Sequence, residues 1–477
     1  MPLCRSLALL LGAVASLAAC SGGPSTEART PVVVVVLDAL HGFHVTHLGY
    51  PRLTTPNLDA LAADGVSFTR AFSPAPFTLA SIPSLMTGRL PDSHGVTGNT
   101  RKLAGYEVTL AEHLGEAGYR TFGAVANLNG SSVYGNEQGF DEFVELFRSG
   151  EGRSAESVWQ GEGIHVPRAD EFVPIVRRWC AEVEGTEGGA PFFYLHLLEP
   201  HEPYVPPNEH RDRFLDPDYD GPFLEGLTTE ITLEHLEKYG ALMVPGKEEK
   251  DAVVALYDAN VAWVDEVLGR VLDELRAAGL YDDALIVVTS DHGEAFWQHG
   301  RRGHGGYLYD EELRIPLVVK LPADAGGERG RKVERLASLT DVYPSLCQWL
   351  DLALPQAPLD GISLEELLRA DPSEPDDREL ILRSYRPKFL AATRSATAKT
   401  IVDYDKETGR VKSAEHFRLD EDWRELNNIY PQVSRDLHAT IERLQGWVQS
   451  SRKRSAGEAN ELSGEERAMM EALGYVY

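Results

Sequence analysis

Short, continuous apolar runs punctuate the chain, each ending in polar or glycine-rich residues. The first is Val32 to Leu37; residues 121–126, Pro191 to Leu197, 284–289 and 313–321 follow. Unbroken runs of this kind, as opposed to alternating ones, predict strands covered on both faces. Between them the apolar spacing becomes helical. Residues 56–65 open on Pro56, set Leu58 and Leu61 three apart and stop at Gly65, and residues 109–118 repeat that form. The longest such stretch, residues 252–279, keeps a helical period from Val254 through Val261, Val264, Leu268 and Leu272 to Leu275, then ends at Gly279. Strands alternating with helices predict an α/β/α sandwich around a mostly parallel sheet, over residues 31–354. From residue 355 the pattern changes. Residues 355–477 are richer in proline and charge, with a hairpin expected over residues 399–417 around the turn Lys406-Glu407-Thr408-Gly409, and a helix over 435–452. This reads as a small C-terminal α+β subdomain. Residues 148–164, rich in Gly, Ser and Glu, read as a surface loop.

The first residues follow a different rule. Arg5, an apolar stretch over 7–17 and the ending Leu17-Ala18-Ala19-Cys20 resemble the signal of a bacterial lipoprotein. Residues 1–19 would be removed, Cys20 acylated, and residues 20–30 left as a tether. The protein is then expected to be exported and held by lipid at a membrane, facing the periplasm or the cell surface. No other stretch is apolar for long enough to span a bilayer. Of the remaining cysteines, Cys180 and Cys347 could pair in an exported protein, but two separately buried thiols are the favoured reading.

Composition narrows the partners. A chain of 477 residues with 43% hydrophobic and 25% charged residues is expected to fold. Its formal net charge of -28 excludes a nucleic-acid partner, whose phosphates it would repel. A small anionic substrate stays open, because a bound dication and a few Arg or His residues reverse the field inside one cleft.

Candidate chemistry gathers at strand ends, where open α/β sheets form their ligand sites. The run 284–289 leads into Ser290-Asp291-His292-Gly293-Glu294, and Val32 to Leu37 leads into Asp38. Further along come Thr55-Pro56-Asn57-Leu58-Asp59, Phe77-Thr78-Leu79-Ala80-Ser81, Thr87-Gly88-Arg89, Pro200-His201-Glu202-Pro203-Tyr204, Gln298-His299-Gly300, Gly303-His304-Gly305 and Arg314-Ile315-Pro316-Leu317. In this order and spacing the chain resembles the sulfatase family of the alkaline phosphatase superfamily, nearly end to end. The resemblance implies an alkaline phosphatase-like fold and one divalent metal ion held by Asp38, Asp291 and His292, with Thr78 as the metal-bound nucleophile. Zinc or manganese suits that donor set best, with calcium less favoured. His201, His299 and His304 are expected around the anion or the leaving group, and Asn127 and Arg89 as substrate contacts. His94 is expected to support its loop. His41, His44 and His47, spaced by three, read as hydrogen-bonding partners near the site, not as a second metal centre.

Three departures from the family pattern are informative. Formylglycine-dependent sulfatases carry Cys or Ser in Cys-x-Pro-x-Arg, whereas this chain reads Thr78-Leu79-Ala80-Ser81-Ile82. A threonine cannot become that aldehyde, because its Cβ bears a methyl. Asp38 is followed by Ala39 where many sulfatases have a second Asp, and Ala124-Val125-Ala126-Asn127 replaces Gly-Lys-Trp-His. The expectation is a hydrolase of sulfuric or phosphoric esters, with phosphate mono- or diesters chemically preferred. A cell-surface phosphoryl-group transferase and, last, a non-catalytic binding protein are the alternatives.

Overall fold

The computed structural model describes residues 29–149, 158–160, 164–185, 189–227, 246–326, 329–454 and 458–472. Nine strands form the main sheet: β1 (Val32–Leu37), β2 (Val66–Phe72), β3 (Arg120–Val125), β4 (Glu142–Glu145), β5 (Pro191–Leu197), β6 (Leu285–Thr289), β7 (Arg314–Ile315), β8 (Leu317–Lys320) and β9 (Arg331–Ser338). Their order is β7-β2-β8-β6-β1-β5-β3-β4, with β9 also on β2. β1 lies in the middle, parallel to both β5 and β6, and every one of its residues is buried. That explains the unbroken valine run: both faces of the strand are covered. Only β7 and β8 run against their neighbours. The run at 313–321 is split at Pro316, which has no N–H to give the ladder.

Helices pack on both faces, giving the expected alkaline phosphatase-like sandwich. They include α1 (Pro56–Asp64), α2 (Thr78–Thr87), α3 (Leu110–Glu116), α4 (Phe172–Val183) and α5 (Lys247–Ala277). α5 begins before the apolar spacing does, because its first turn is charged and carries no periodic signal. Part of the stretch read as a loop is regular instead: residues 148–149 end a short helix, Leu146–Ser149, and Val158–Gln160 pairs antiparallel with Ile164–Val166, while residues 150–157 and 161–163 lie outside the described residues. Cys180 and Cys347 are both free and buried.

The C-terminal part is a four-stranded antiparallel meander, β10 (Leu380–Ser384), β11 (Phe389–Arg394), β12 (Ala398–Tyr404) and β13 (Val411–Arg418). The β12–β13 turn is closed by Thr408 N–H donating to Asp405 Oδ1 at 2.7 Å, with Gly409 at φ 68°. One face of the meander packs on Phe72, Leu308, Leu313 and Leu336 of the main body. The other takes α6 (His438–Arg454) through Ile441, Leu444 and Val448. Buried ion pairs fasten the two parts: Arg383 to Asp92 at 2.7 Å, Arg378 to Asp341 at 2.6 Å, and Lys399 to Asp310 at 2.6 Å.

Candidate active site

β1, β5 and β6 are neighbours and parallel, so their carboxyl ends open on one edge of the sheet. Asp38 follows β1, His196 is the penultimate residue of β5, and Asp291-His292 follows β6; all four are fully buried. Ala39 turns the chain sharply after Asp38 with φ 59°, an unfavourable region for a residue with a Cβ. The turn is held from both sides. Ala39 N–H donates to Asp291 Oδ1 at 3.1 Å, and its carbonyl accepts from Tyr257 Oη at 2.7 Å.

Asp38 and Asp291 each keep one oxygen occupied and one free. Asp38 Oδ2 accepts from Asn127 Nδ2 at 2.6 Å and from His196 Nε2 at 3.1 Å. Asp291 Oδ1 accepts from the backbone N–H groups of Ala39 and His292, at 3.1 and 2.9 Å. Asp38 Oδ1 and Asp291 Oδ2 are buried with no hydrogen-bond partner among the described residues. Both face His292 Nε2, at 3.7 and 3.4 Å. His292 Nδ1 lies 2.9 Å from the Gly293 carbonyl, which can only accept, so Nδ1 carries the proton and Nε2 presents a lone pair. Burial lowers the His292 pKa, which also favours the neutral ring. Three lone-pair donors converging without a proton between them are a candidate cation site. Asp38, His196 and Asp291 also place one donor atom each within 4.8 Å of one another. His196 Nε2 is engaged with Asp38 Oδ2 and orients that carboxylate, whereas His292 Nε2 faces the two unpartnered oxygens. Burial would raise the Asp38 pKa, but the imidazoles of His201, His196 and His292 hold it well below the usual carboxylate range.

Thr78 is the first residue of α2 and fully buried. Its hydroxyl caps nothing: the N-cap is Phe77, without a side-chain bond. Instead Thr78 Oγ1 lies 3.2 Å from His292 Nε2, beside the converging carboxylates. The first amides of α2 have no acceptor within the helix and open on the same space.

Three imidazoles border this point. The His304 ring centroid is 4.2 Å from that of His292 and 4.8 Å from that of His201. His304 Nδ1 pairs with Glu294 Oε2 at 3.2 Å; burial opposes its charge, but that carboxylate pushes its pKa up to about 9. Glu294 is buried too, and His304 lowers it to about 2. Tyr204 Oη donates to the same carboxylate at 3.0 Å, and His201 Nδ1 lies 2.6 Å from the Glu202 carbonyl.

The structure thus brings Asp38, Thr78, Asp291, His292, His201 and His304 together. Asn127 joins them through Asp38. His299 and Arg89 stand elsewhere. His299 Nδ1 contacts Glu311 at 2.5 Å, its Nε2 contacts the Glu425 carbonyl at 2.9 Å, and its ring stacks on Tyr309. Arg89 follows the far end of α2 from Thr78 and is paired with Glu107. His44, His47 and His94 are tied to Asp258, Asp59 and Ser84 respectively. Sequence reading missed His196 and the role of Glu294. A histidine near the carboxyl end of an otherwise apolar strand was the available signal for the first.

An alkaline phosphatase-like sheet with a buried cluster of carboxylates and imidazoles at its carboxyl edge defines an ester-hydrolase class. The Sulfatase family model matches residues 30–352, and the chain belongs to the sulfatase family. It is 24% identical over 450 residues to an arylsulfatase of Clostridium perfringens, covering 83% of this chain and 89% of that protein. It is 28% identical over 408 residues to the multifunctional alkaline phosphatase superfamily protein PehA of Trinickia caryophylli, covering 70% and 76%. Among solved structures, the phosphonate monoester hydrolase of Agrobacterium radiobacter superposes with a TM-score of 0.68 at 23% identity, over 92% of this chain and 99% of that one. A protein solved with its substrate D-glucosamine-2-N,6-O-disulfate gives 0.69 at 20% identity, over 90% and 98%.

Proposed function

We propose that this protein is a divalent-metal-dependent hydrolase that uses Thr78 as its nucleophile and prefers phosphoric over sulfuric esters. The observation that carries the reading is the position of Thr78 Oγ1, 3.2 Å from His292 Nε2 and beside two unpartnered carboxylate oxygens. Asp38, Asp291 and His292 would hold the ion, which supplies Lewis-acid polarisation of the hydroxyl and of the ester oxygen. The amides opening α2 receive the substrate's anionic oxygens. Thr78 gives its hydroxyl proton to solvent, its Oγ forms a bond to phosphorus as the bond to the leaving-group oxygen breaks, and that oxygen takes a proton from His304, which later recovers one from solvent. Glu294 keeps His304 oriented for that transfer, while His201 borders the departing group. Water then cleaves the threonine ester and restores the hydroxyl. Relatives of both kinds support the range of chemistry: one is named an arylsulfatase, and a structural neighbour is a phosphonate monoester hydrolase.

Purified protein assayed with an aryl sulfate, an aryl phosphate monoester and an aryl phosphate diester, over several divalent ions, tests the reading. Phosphate esters should be cleaved faster, and Thr78→Ala should lose roughly three orders of magnitude or more in kcat. Faster sulfate cleavage removes the preference; an active Thr78→Ala removes the nucleophile. We also propose export and lipid anchoring through Cys20, which lies outside the described residues. Among the described residues no helix is long and apolar enough to cross a membrane. Mass spectrometry of the mature N-terminus tests the anchor: an unmodified Cys20 would sink it.

A further inference from the structure

Where the loop after Asp38 meets the C-terminal meander, three guanidiniums line one cavity of about 360 Å³. They come from separate elements: Arg70 from β2, Arg314 from β7 and Arg394 from the end of β11. Phe43, Phe72 and Trp423 supply its aromatic walls, and Asp310 is its one lining carboxylate. Asp310 is already committed. Arg394 Nη2 reaches it at 3.0 Å and Lys399 Nζ at 2.6 Å. Arg70 and Arg314, both partly buried, have no ion-pair partner among the described residues. Each donates only to a backbone carbonyl, Arg70 to Ala396 and Arg314 to Thr69 at 2.9 Å. Arg314 Nε is buried with no partner at all.

Positive charge without a carboxylate partner is costly to hold in a half-dry cavity. Burial lowers the pKa of Arg70 and of Arg314; Asp310 partly offsets this for Arg314, and Asp376, Asp310 and Glu334 do so for Arg70, while Arg394 presses both down. The guanidinium faces are spent on rings. Arg394 Cζ lies 3.9 Å from the Phe72 centroid and Arg314 Cζ 4.5 Å from that of Phe43. Arg394 spends its N–H fork on Asp310 and the Ser395 carbonyl, so it is Arg70 and Arg314 that keep N–H groups for an acceptor, in the planar geometry that suits a tetrahedral oxyanion. The volume is on the order of ten times a water's share of liquid, room for such an ion and part of its hydration.

We propose that this cavity is a second oxyanion site, built to hold a sulfate or phosphate group apart from the Thr78 centre. The group arrives either as the free ion, the product class of the proposed reaction, or as a second anionic substituent on an extended substrate. The binding itself does not rest on Thr78 chemistry.

Calorimetric titration of the full chain with inorganic sulfate and with phosphate tests it. The parent should bind one more ion than Arg70→Met, and Arg70→Lys, which keeps the charge but loses the fork, should bind that ion about tenfold more weakly. If the Thr78 centre takes no oxyanion, the parent still exceeds Arg70→Met by one, so the two readings fail separately. Crystals of the parent soaked in selenate should show an anomalous peak between Arg70, Arg314 and Arg394, a readout that survives poor folding of either variant. Steady-state kinetics then separate the sources. A substrate-borne group makes Arg70→Met lower kcat/KM for a doubly sulfated ester but not for a singly charged aryl ester; a free ion makes it abolish the effect of added sulfate on the parent's rate. Equal stoichiometry and affinity in parent and Arg70→Met, or a cavity empty of selenate, overturns the proposal.

Discussion

Asn127 and Gly130 show how much of the site rests on residues that touch no ion. Asn127 gives its amide N–H to Asp38 Oδ2 and takes the Asn129 N–H on its own oxygen, which fixes the amide's orientation. Replacing it with Ala frees one side of the Asp38 carboxylate while leaving the charge in place. Outer partners of metal ligands are typically worth 10–100-fold, so Asn127→Ala should lose roughly that much in metal affinity, read by competition with a chelator. Gly130 acts by absence. A Cβ there would lie 2.5 Å from His196 Nδ1, so Gly130→Ala should push the imidazole off Asp38 and weaken metal binding similarly. Unchanged metal affinity in both variants would mean that Asp38 needs no orientation. At this scale the sequence was legible where a motif marks a strand end, as at Asp38, Asp291 and His292, or opens a helix, as at Thr78, because the fold brings those positions together. It was opaque where partner choice decides: nothing local tells His304, which meets Glu294, from His299, which meets Glu311. Arg89 likewise reads as a free cation until Glu107 is placed beside it.

At the scale of elements, the segment from Gly300 to Glu312 runs between the site and the C-terminal meander, and His299 anchors its start. His299 is clamped between Glu311 and the Glu425 carbonyl and stacked on Tyr309 at 3.6 Å. Burial opposes its charge, yet Glu311 raises its pKa above the ordinary histidine value. A raised folded-state pKa means stability that is fully present below the unfolded value, about 6.5, and lost as pH climbs through the folded one. Glu311→Gln should therefore cost on the order of 1–2 kcal/mol near pH 6 and clearly less near pH 9. Urea titrations of parent and variant at the two pH values measure the difference; a gap that widens with pH would contradict the assignment. The strands and helices themselves were readable because burial on both faces writes unbroken apolar runs. The split at Pro316 and the early start of α5 were not, since a proline inside an apolar run and a charged first turn leave no periodic mark.

Over the whole molecule, the candidate ligands come from points far apart in the chain. Asp38, Thr78 and the Asp291-His292 pair meet only because β1 and β6 lie side by side and α2 points its first turn at them. Folding alone therefore presses two carboxylates together at full burial, each with an unpartnered oxygen. Neighbouring imidazoles offset part of the cost for Asp38, but without a cation the desolvation and mutual repulsion of the pair still work against the fold. A divalent ion binding only the folded state turns the cost into a gain, about 2.7 kcal/mol at a hundred times its Kd. Two opposite effects follow. Chelation should lower the Tm of the parent, and added zinc or manganese should restore it. Asp291→Asn keeps the shape, removes one charge, and should raise the Tm of the chelated protein while abolishing both the ion-dependent rise and activity. Differential scanning calorimetry of the two proteins, with and without chelator, gives all four values. A parent indifferent to chelation, or a variant less stable than the chelated parent, would mean that the carboxylates are compensated by the protein itself and that the pocket was not built around an ion.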